Sequence, residues 1–217
     1  MHRYQILIEY VGTSFVGWQI QKKGRSIQKI IQLTLSKLLK QKIVLYGSGR
    51  TDSGVHALEQ SAHFDLKNKI KNFERTIKSL NFFLNHKMIS IINIKKKKIN
   101  FHARHSAKQR VYLYIIQNRF SPSTVNKNRE WHIRKKLDIN LIKKGAKKLV
   151  GTHDFSTFRA SNCGAKSPVR TINAIIISKS KNRIKLKFKS KSFLKNQVRS
   201  MVGCLKLFGE KKWNLKK

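Results

Sequence analysis

Residues 4–10 read YQILIEY. Apolar and polar positions nearly alternate here and branched residues are frequent, the pattern of a half-buried strand. The segments downstream decide which fold this strand belongs to. Residues 26–40 place Ile27, Ile30, Ile31, Leu35, Leu38 and Leu39 near helical spacing, with Ser26 available as an N-cap. A short strand over 43–46 ends at Gly47, and 59–66 alternates again with Ala62 and Phe64 on one face. Residues 72–85 are helical by Phe73, Ile77, Leu80 and Leu84, and 88–94 is a strand. The order is β-α-β-β-α-β, the split βαβ or ferredoxin-like pattern.

Residues 95–98 read as a solvated lysine run, after which a similar order begins. It comprises a long strand over 107–118 and a helix over 138–150 with Asp138 as its cap. Two strands come next over 171–178 and 183–188, then an amphipathic helix over 192–208. That helix carries Leu194, Val198, Met201, Val202 and Leu205 on one side, and Gly209 suits its end. The second half stops there, at β-α-β-β-α, without a sixth strand. The expected class is α+β, with an N-terminal half over 1–100 and an incomplete C-terminal half over 101–217.

The chain has 217 residues, with 49 Lys and Arg against 9 Asp and Glu, a formal charge of +40. So much positive charge repels itself unless a polyanion neutralises it, and nucleic acid is the natural candidate. Lysine, isoleucine and asparagine are frequent throughout, so the sign of the charge is more informative than its size. With 40% apolar residues the chain can build a core and is not a disordered polycation. Its two cysteines, Cys163 and Cys204, form no zinc or disulfide pattern and suit a reducing compartment. MHRYQILIEY is not a secretory signal, and no apolar run approaches the roughly 20 residues that span a bilayer. The expectation is a cytoplasmic protein without membrane contact.

One of the few carboxylates lies in GRTDSGVHA, residues 49–57. The gap from Gly49 to Gly54 is that of a phosphate loop, but Val55-His56 stands where Lys and Ser or Thr are required. A dinucleotide fingerprint would need glycine in place of Asp52. His102 and His105, or His56 and His63, have no cysteine or carboxylate to complete a metal set, so no metal site is expected. A glycosidase-like reading fits better, because a carboxylate can attack or stabilise a sugar losing its base. Ordinary glycosidases need a second carboxyl as acid, and the nearest in sequence, Glu59, lies on the next strand. A lone carboxylate suffices if the leaving group needs little protonation, as uracil does. Arg50, two residues away, would help keep Asp52 ionised.

GRTDSGVHA resembles the active-site motif of the tRNA pseudouridine synthase A family. EYVGTSFVGWQIQ (9–21), FHARHSAKQRVYLYII (101–116), GTHDFSTFRASNC (151–163), SPVRTI (167–172) and QVRSMVG (197–203) resemble further blocks of that family in the same order. The resemblance implies a cofactor-free isomerase that converts uridine to pseudouridine at positions 38 to 40 of the tRNA anticodon stem-loop. It implies Asp52 as the catalytic aspartate, adding covalently to the nucleoside, and leaves open whether at ribose or uracil. Tyr112 matches the tyrosine that packs on the base and helps remove its ring proton. Arg50 matches the arginine that fills the space of the flipped nucleotide, and Arg199 a basic residue paired with the acid. Read without the family, Tyr112 is a strand residue in the core, with Tyr114 equally at home, and Arg199 belongs to a solvated helix face.

The family fold is two ferredoxin-like halves joined in one continuous, mostly antiparallel sheet, with helices on one face and the active site between the halves, in a homodimer. The chain lacks the family's EGLYL-like final stretch and carries Lys195 and Asn196 where a histidine is usual near QVR. Two functions remain open: an active tRNA uridine isomerase, or a basic tRNA-binding or RNA-chaperone protein that has lost turnover.

Overall fold

The computed structural model describes residues 1–214. They form two compact units, Met1–Ala107 and the part from Lys108 onward.

The first unit runs β1 (His2–Tyr10), α1 (Ile27–Leu38), β2 (Tyr46–Gly47), β3 (Ala57–Leu66), α2 (Phe73–Leu84) and β4 (Ile89–Lys97). Its sheet has the order β2-β3-β1-β4, antiparallel throughout. Alternation in β1 sends Tyr4, Ile6, Ile8 and Tyr10 into the core, where Ile27, Ile31 and Leu35 of α1 and Leu80 and Leu84 of α2 cover them. Burying each such side chain is worth about 1.5–3 kcal/mol.

Two features arise from local chemistry. In α2, Asn72 accepts the Arg75 N–H at 2.8 Å and caps the helix. In β4, Ile8 pairs with Ile91 but Leu7 pairs with Asn93, so Ile92 is an extra residue in a β-bulge. The bulge lets Ile91 and Ile94, three apart, face the same core. Ser26 stands at the N-cap of α1 but makes no cap hydrogen bond, and its buried hydroxyl has no partner among the described residues. The lysine run expected to be solvated loop extends β4 instead: Lys95, Lys96 and Lys97 pair with Gln5, Tyr4 and Arg3. Backbone pairing to β1 outweighs the polar side chains there.

The second unit runs β5 (Arg110–Asn118), β6 (Trp131–Ile133), α3 (Ile139–Leu149), β7 (Gly151–Asp154), β8 (Val169–Ser180), β9 (Arg183–Ser190) and α4 (Gln197–Gly209). Its sheet has the order β6-β5-β9-β8-β7, antiparallel except for β5 with β6. Ile184, Leu186 and Phe188 of β9 pack with Ile142 and Ala146 of α3 and with Met201, Val202 and Leu205 of α4. Asp138 caps α3 by accepting the Asn140 and Leu141 N–H groups at 2.9 and 3.2 Å. Gly209 ends α4, and its carbonyl accepts the Asp138 N–H at 2.9 Å.

Among the described residues the architecture is mixed α+β, with four α-helices and two sheets. The described strands fall into two sheets, one in each unit, rather than the one continuous sheet expected from the resemblance. The short strands β6 and β7 lie outside the expected element order, and α4 begins at Gln197 rather than 192. Asn196 there is left-handed at φ 63°, which no helix continues.

Candidate active site

The loop carrying Asp52 joins β2 to β3. Its ends are held by β3: Ser48 donates its N–H to the Ser61 carbonyl at 2.8 Å, and the Gln60 amide donates to the Gly49 carbonyl at 2.7 Å. A second bulge lies where β3 leaves the loop, since Ile8 pairs with Gln60 but Tyr10 with Ala57. Such bulges re-aim a chain beside functional loops.

The middle of the loop is clasped by residues 10–18. Tyr10 and Thr51 share a hydroxyl hydrogen bond at 2.8 Å. Trp18 donates its N–H to the Thr51 carbonyl at 3.0 Å. The Ser53 hydroxyl donates to the Phe15 carbonyl at 3.0 Å, and Gly12 donates its N–H to His56 Nδ1 at 3.0 Å. Contact is so close that side chains are excluded at two points. A Cβ on Gly12 would lie 2.0 Å from the Val55 carbonyl oxygen, and one on Gly17, at φ 111°, 2.6 Å from that of Thr51.

Four hydrogen bonds, one to the Thr51 carbonyl and three to the side chains of Thr51, Ser53 and His56, thus hold the loop on both sides of Asp52. Asp52 itself is half-buried, and its carboxylate makes no hydrogen bond or ion pair among the described residues. Arg50 is exposed and forms no ion pair with it, and Glu59 is exposed on β3. A held carboxylate with its oxygens free can act on something brought to it.

The root of the loop rests on His63. Tyr46 stacks on this buried ring with centroids 5.1 Å apart, and His63 Nδ1 accepts the Ala103 N–H at 3.2 Å. Burial, then the positive potential of His102 and Arg3, lowers its pKa to about 4, against the opposing pull of Asp65 and a hydrogen bond to the Tyr46 backbone. In the unfolded chain the ring titrates near 6.5. Between the two values the unfolded chain holds a proton that the folded chain does not, so folding stability falls as pH drops from about 6.5 towards 4. The loss is on the order of 2–3 kcal/mol. Urea midpoints measured from pH 8 down to 4 should show it, and His63→Gln should flatten that part of the profile relative to the wild type.

In the second unit, Tyr112 of β5 is half-buried, opposite Phe188, and packs edge-on against Phe193 with centroids 5.1 Å apart. Tyr114 lies on the same face, against Trp131 at 6.1 Å. Burial raises its hydroxyl pKa, and Arg199, exposed in the first turn of α4, acts in the opposite direction. The charge of Arg199 is thus felt at Tyr114, the residue that strand spacing alone could not separate from Tyr112. Sequence reasoning missed the clasp. Its signal was present, in the glycines Gly12 and Gly17 of the 9–21 block, but the partners lie far along the chain.

A lone carboxylate on a glycine-bearing loop, set between the second and third strands of a β-α-β-β-α-β unit, is one part of a wider match. Residues 6–106 and 146–217 match the family described as tRNA pseudouridine synthase, and the chain belongs to that family. It is 64% identical over 217 residues to the tRNA pseudouridine synthase A of Pelagibacter ubique, covering all of this chain and 88% of that protein. It is 42% identical over 214 residues to the tRNA pseudouridine synthase A of Paramagnetospirillum magneticum, covering 99% of this chain and 83% of the relative. The corresponding protein of Parvibaculum lavamentivorans is 40% identical over 217 residues, with 88% of its length covered.

Proposed function

We propose that this chain is a tRNA pseudouridine synthase that isomerises uridine to pseudouridine at positions 38 to 40 of the anticodon stem-loop, with Asp52 as its nucleophile. The observation that carries the reading is the half-buried Asp52 carboxylate, unpartnered among the described residues on a loop fixed from both sides. Family membership gives the reaction class.

In this reading the nucleotide is extruded from the stem-loop before reaction. Asp52 adds to the nucleoside, and the bond between uracil N1 and ribose C1′ breaks with its electron pair leaving on the base. The base turns, C5 forms the new bond to C1′, and the bond to Asp52 breaks with its electron pair returning to the carboxylate. The C5 proton is then lost and N1 gains one, so the product is an isomer and no electrons are exchanged with an outside reagent. Tyr112 packs on the base and helps remove the C5 proton. Arg50, exposed beside the nucleophile, enters the space of the flipped nucleotide, and Arg199 supplies positive charge at the acid. We read the two units as ferredoxin-like halves of the family fold, and the enzyme as a cytoplasmic homodimer.

The test is tritium release from tRNA labelled at uridine C5, with wild type and Asp52→Ala side by side. Release by wild type alone is expected. Release by both would remove Asp52 from the mechanism. Release by neither, with tRNA still bound, would leave an RNA-binding protein without turnover.

A further inference from the structure

In the second unit α3 and α4 cover one face of the sheet, and the other face carries a pattern of its own. Along β9, Ile184, Leu186 and Phe188 point to the core, so Lys185, Lys187 and Lys189 share the opposite face. Their cross-strand neighbours are Ile115, Leu113 and Val111 on β5, and Ser178, Ile176 and Ala174 on β8. A single row of cations therefore runs between two largely aliphatic tracks. Val111, Leu113 and Ile176 are 51%, 42% and 50% exposed. At the rise of a strand, the lysines stand about 7 Å apart and the row spans about 14 Å.

None of the three lysines makes an ion pair among the described residues, whereas Arg183, next in the row, is held by Glu130 at 2.8 Å. Two ordinary explanations fail. Lysines guard edge strands against unwanted pairing, but β9 is central in its sheet. General lysine abundance would also place lysines beside them on β5 and β8, where the residues are aliphatic or small. Like charges in a row are a cost to the sheet, relieved by a matching polyanion. In the first unit Arg3, on the helix-free face of β1 and opposite Lys97, is ion-paired with Asp65 at 2.7 Å.

Beyond the strand, Lys191 lines a polar hollow of about 350 Å³ with Arg170, Asn173 and Ser190. The Nε–H of Arg170 is buried and has no acceptor among the described residues, while its Nη1 donates to the Ser167 and Val169 carbonyls at 2.9 and 2.6 Å. A buried donor left unmade costs about 1–3 kcal/mol, and a phosphate oxygen is the acceptor that suits guanidinium best.

We infer that the β9 lysine row is a track for the phosphodiester backbone of RNA, ending at a phosphate held in the Arg170–Lys191 hollow. The inference rests on the tRNA substrate proposed above. Such contacts fix where the RNA lies without reading its bases.

The test compares two full-length variants that remove the same charge: K185Q/K187Q/K189Q on β9, and K143Q/K144Q/K147Q on the exposed face of α3. tRNA affinity is measured by fluorescence anisotropy across a range of salt concentrations. The β9 variant should lose at least about tenfold in affinity, with a log–log salt slope shallower by about 2. Its KM should rise while kcat at saturating tRNA stays within about twofold. The α3 variant should change affinity by less than about threefold, and K185R/K187R/K189R should restore the wild-type slope. Equal losses in both glutamine variants, or no loss in the β9 variant, would overturn the track. Single glutamine variants carry the same comparison if the triple does not fold. Wild type that binds tRNA without isomerising it would remove the proposed reaction and leave the track standing.

Discussion

Asp52→Ala is expected to reduce isomerisation by about 10⁴-fold or more while tRNA affinity stays within about threefold. The first figure comes from chemistry: without Asp52 the 49–57 loop has no carboxylate to add to the nucleoside. The second comes from geometry. The Asp52 side chain holds nothing in place, since its carboxylate has no partner among the described residues, so its loss leaves the loop's four anchoring hydrogen bonds intact. In a chain of net charge +40, one carboxylate hardly alters attraction to a polyanion. Single-turnover tritium release and anisotropy on the same preparation separate the two effects. A parallel fall in both would mean that Asp52 organises binding rather than chemistry.

Gly12→Ala is expected to lower kcat by about 100-fold although residue 12 carries no reacting group. The added Cβ would meet the Val55 carbonyl at 2.0 Å, a backbone atom that cannot turn aside. Either the 10–18 segment or the 51–56 loop must move, and with it goes the Gly12 to His56 hydrogen bond. A displacement of about 1 Å in a reacting group can cost 10²-fold. Overpacking should also destabilise the fold by about 1–3 kcal/mol. The check is kcat together with a urea melt. Loss of stability with unchanged kcat would show that the clasp supports the fold but not the position of Asp52.

Much of the fold could be read from periodicity. Tyr4, Ile6, Ile8 and Tyr10 alternate as a strand should, and Ile27, Ile31 and Leu35 recur at helical spacing. The misreadings share a cause: local pattern and long-range pairing disagreed. Lys95–Lys97 have no apolar signal, yet pair with β1. β6 and β7, of three and four residues, are too short to show a period. Phe193 and Leu194 sit at helical spacing before α4, but the Gln197 side chain accepts the Leu194 N–H at 2.8 Å and Asn196 turns the chain.

The candidate site divides in the same way. Asp52 and Arg50 are neighbours in one loop, so their chemistry can be read from nine consecutive residues. Phe15 and Ser53, or Gly12 and His56, are 38 and 44 positions apart, and only the folded sheet brings them together. For Tyr112 and Tyr114 the sequence pattern is symmetric, and their different neighbours, Phe193 for one and Trp131 for the other, emerge only with tertiary packing.

The bulge at Ile92 bears on how this chain can change in length. Strand insertions and deletions usually reverse which side chains face the core, because the period is two. Here the strand already carries one residue beyond what its partner needs. Removing Ile92 would bring Ile89, Ile91 and Ile94 into simple alternation opposite β1, with Ile8 still facing Ile91 and Leu7 still facing Asn93. A one-residue deletion is therefore expected to be tolerated at this point, where within a regular stretch of the same sheet it would turn the core outward.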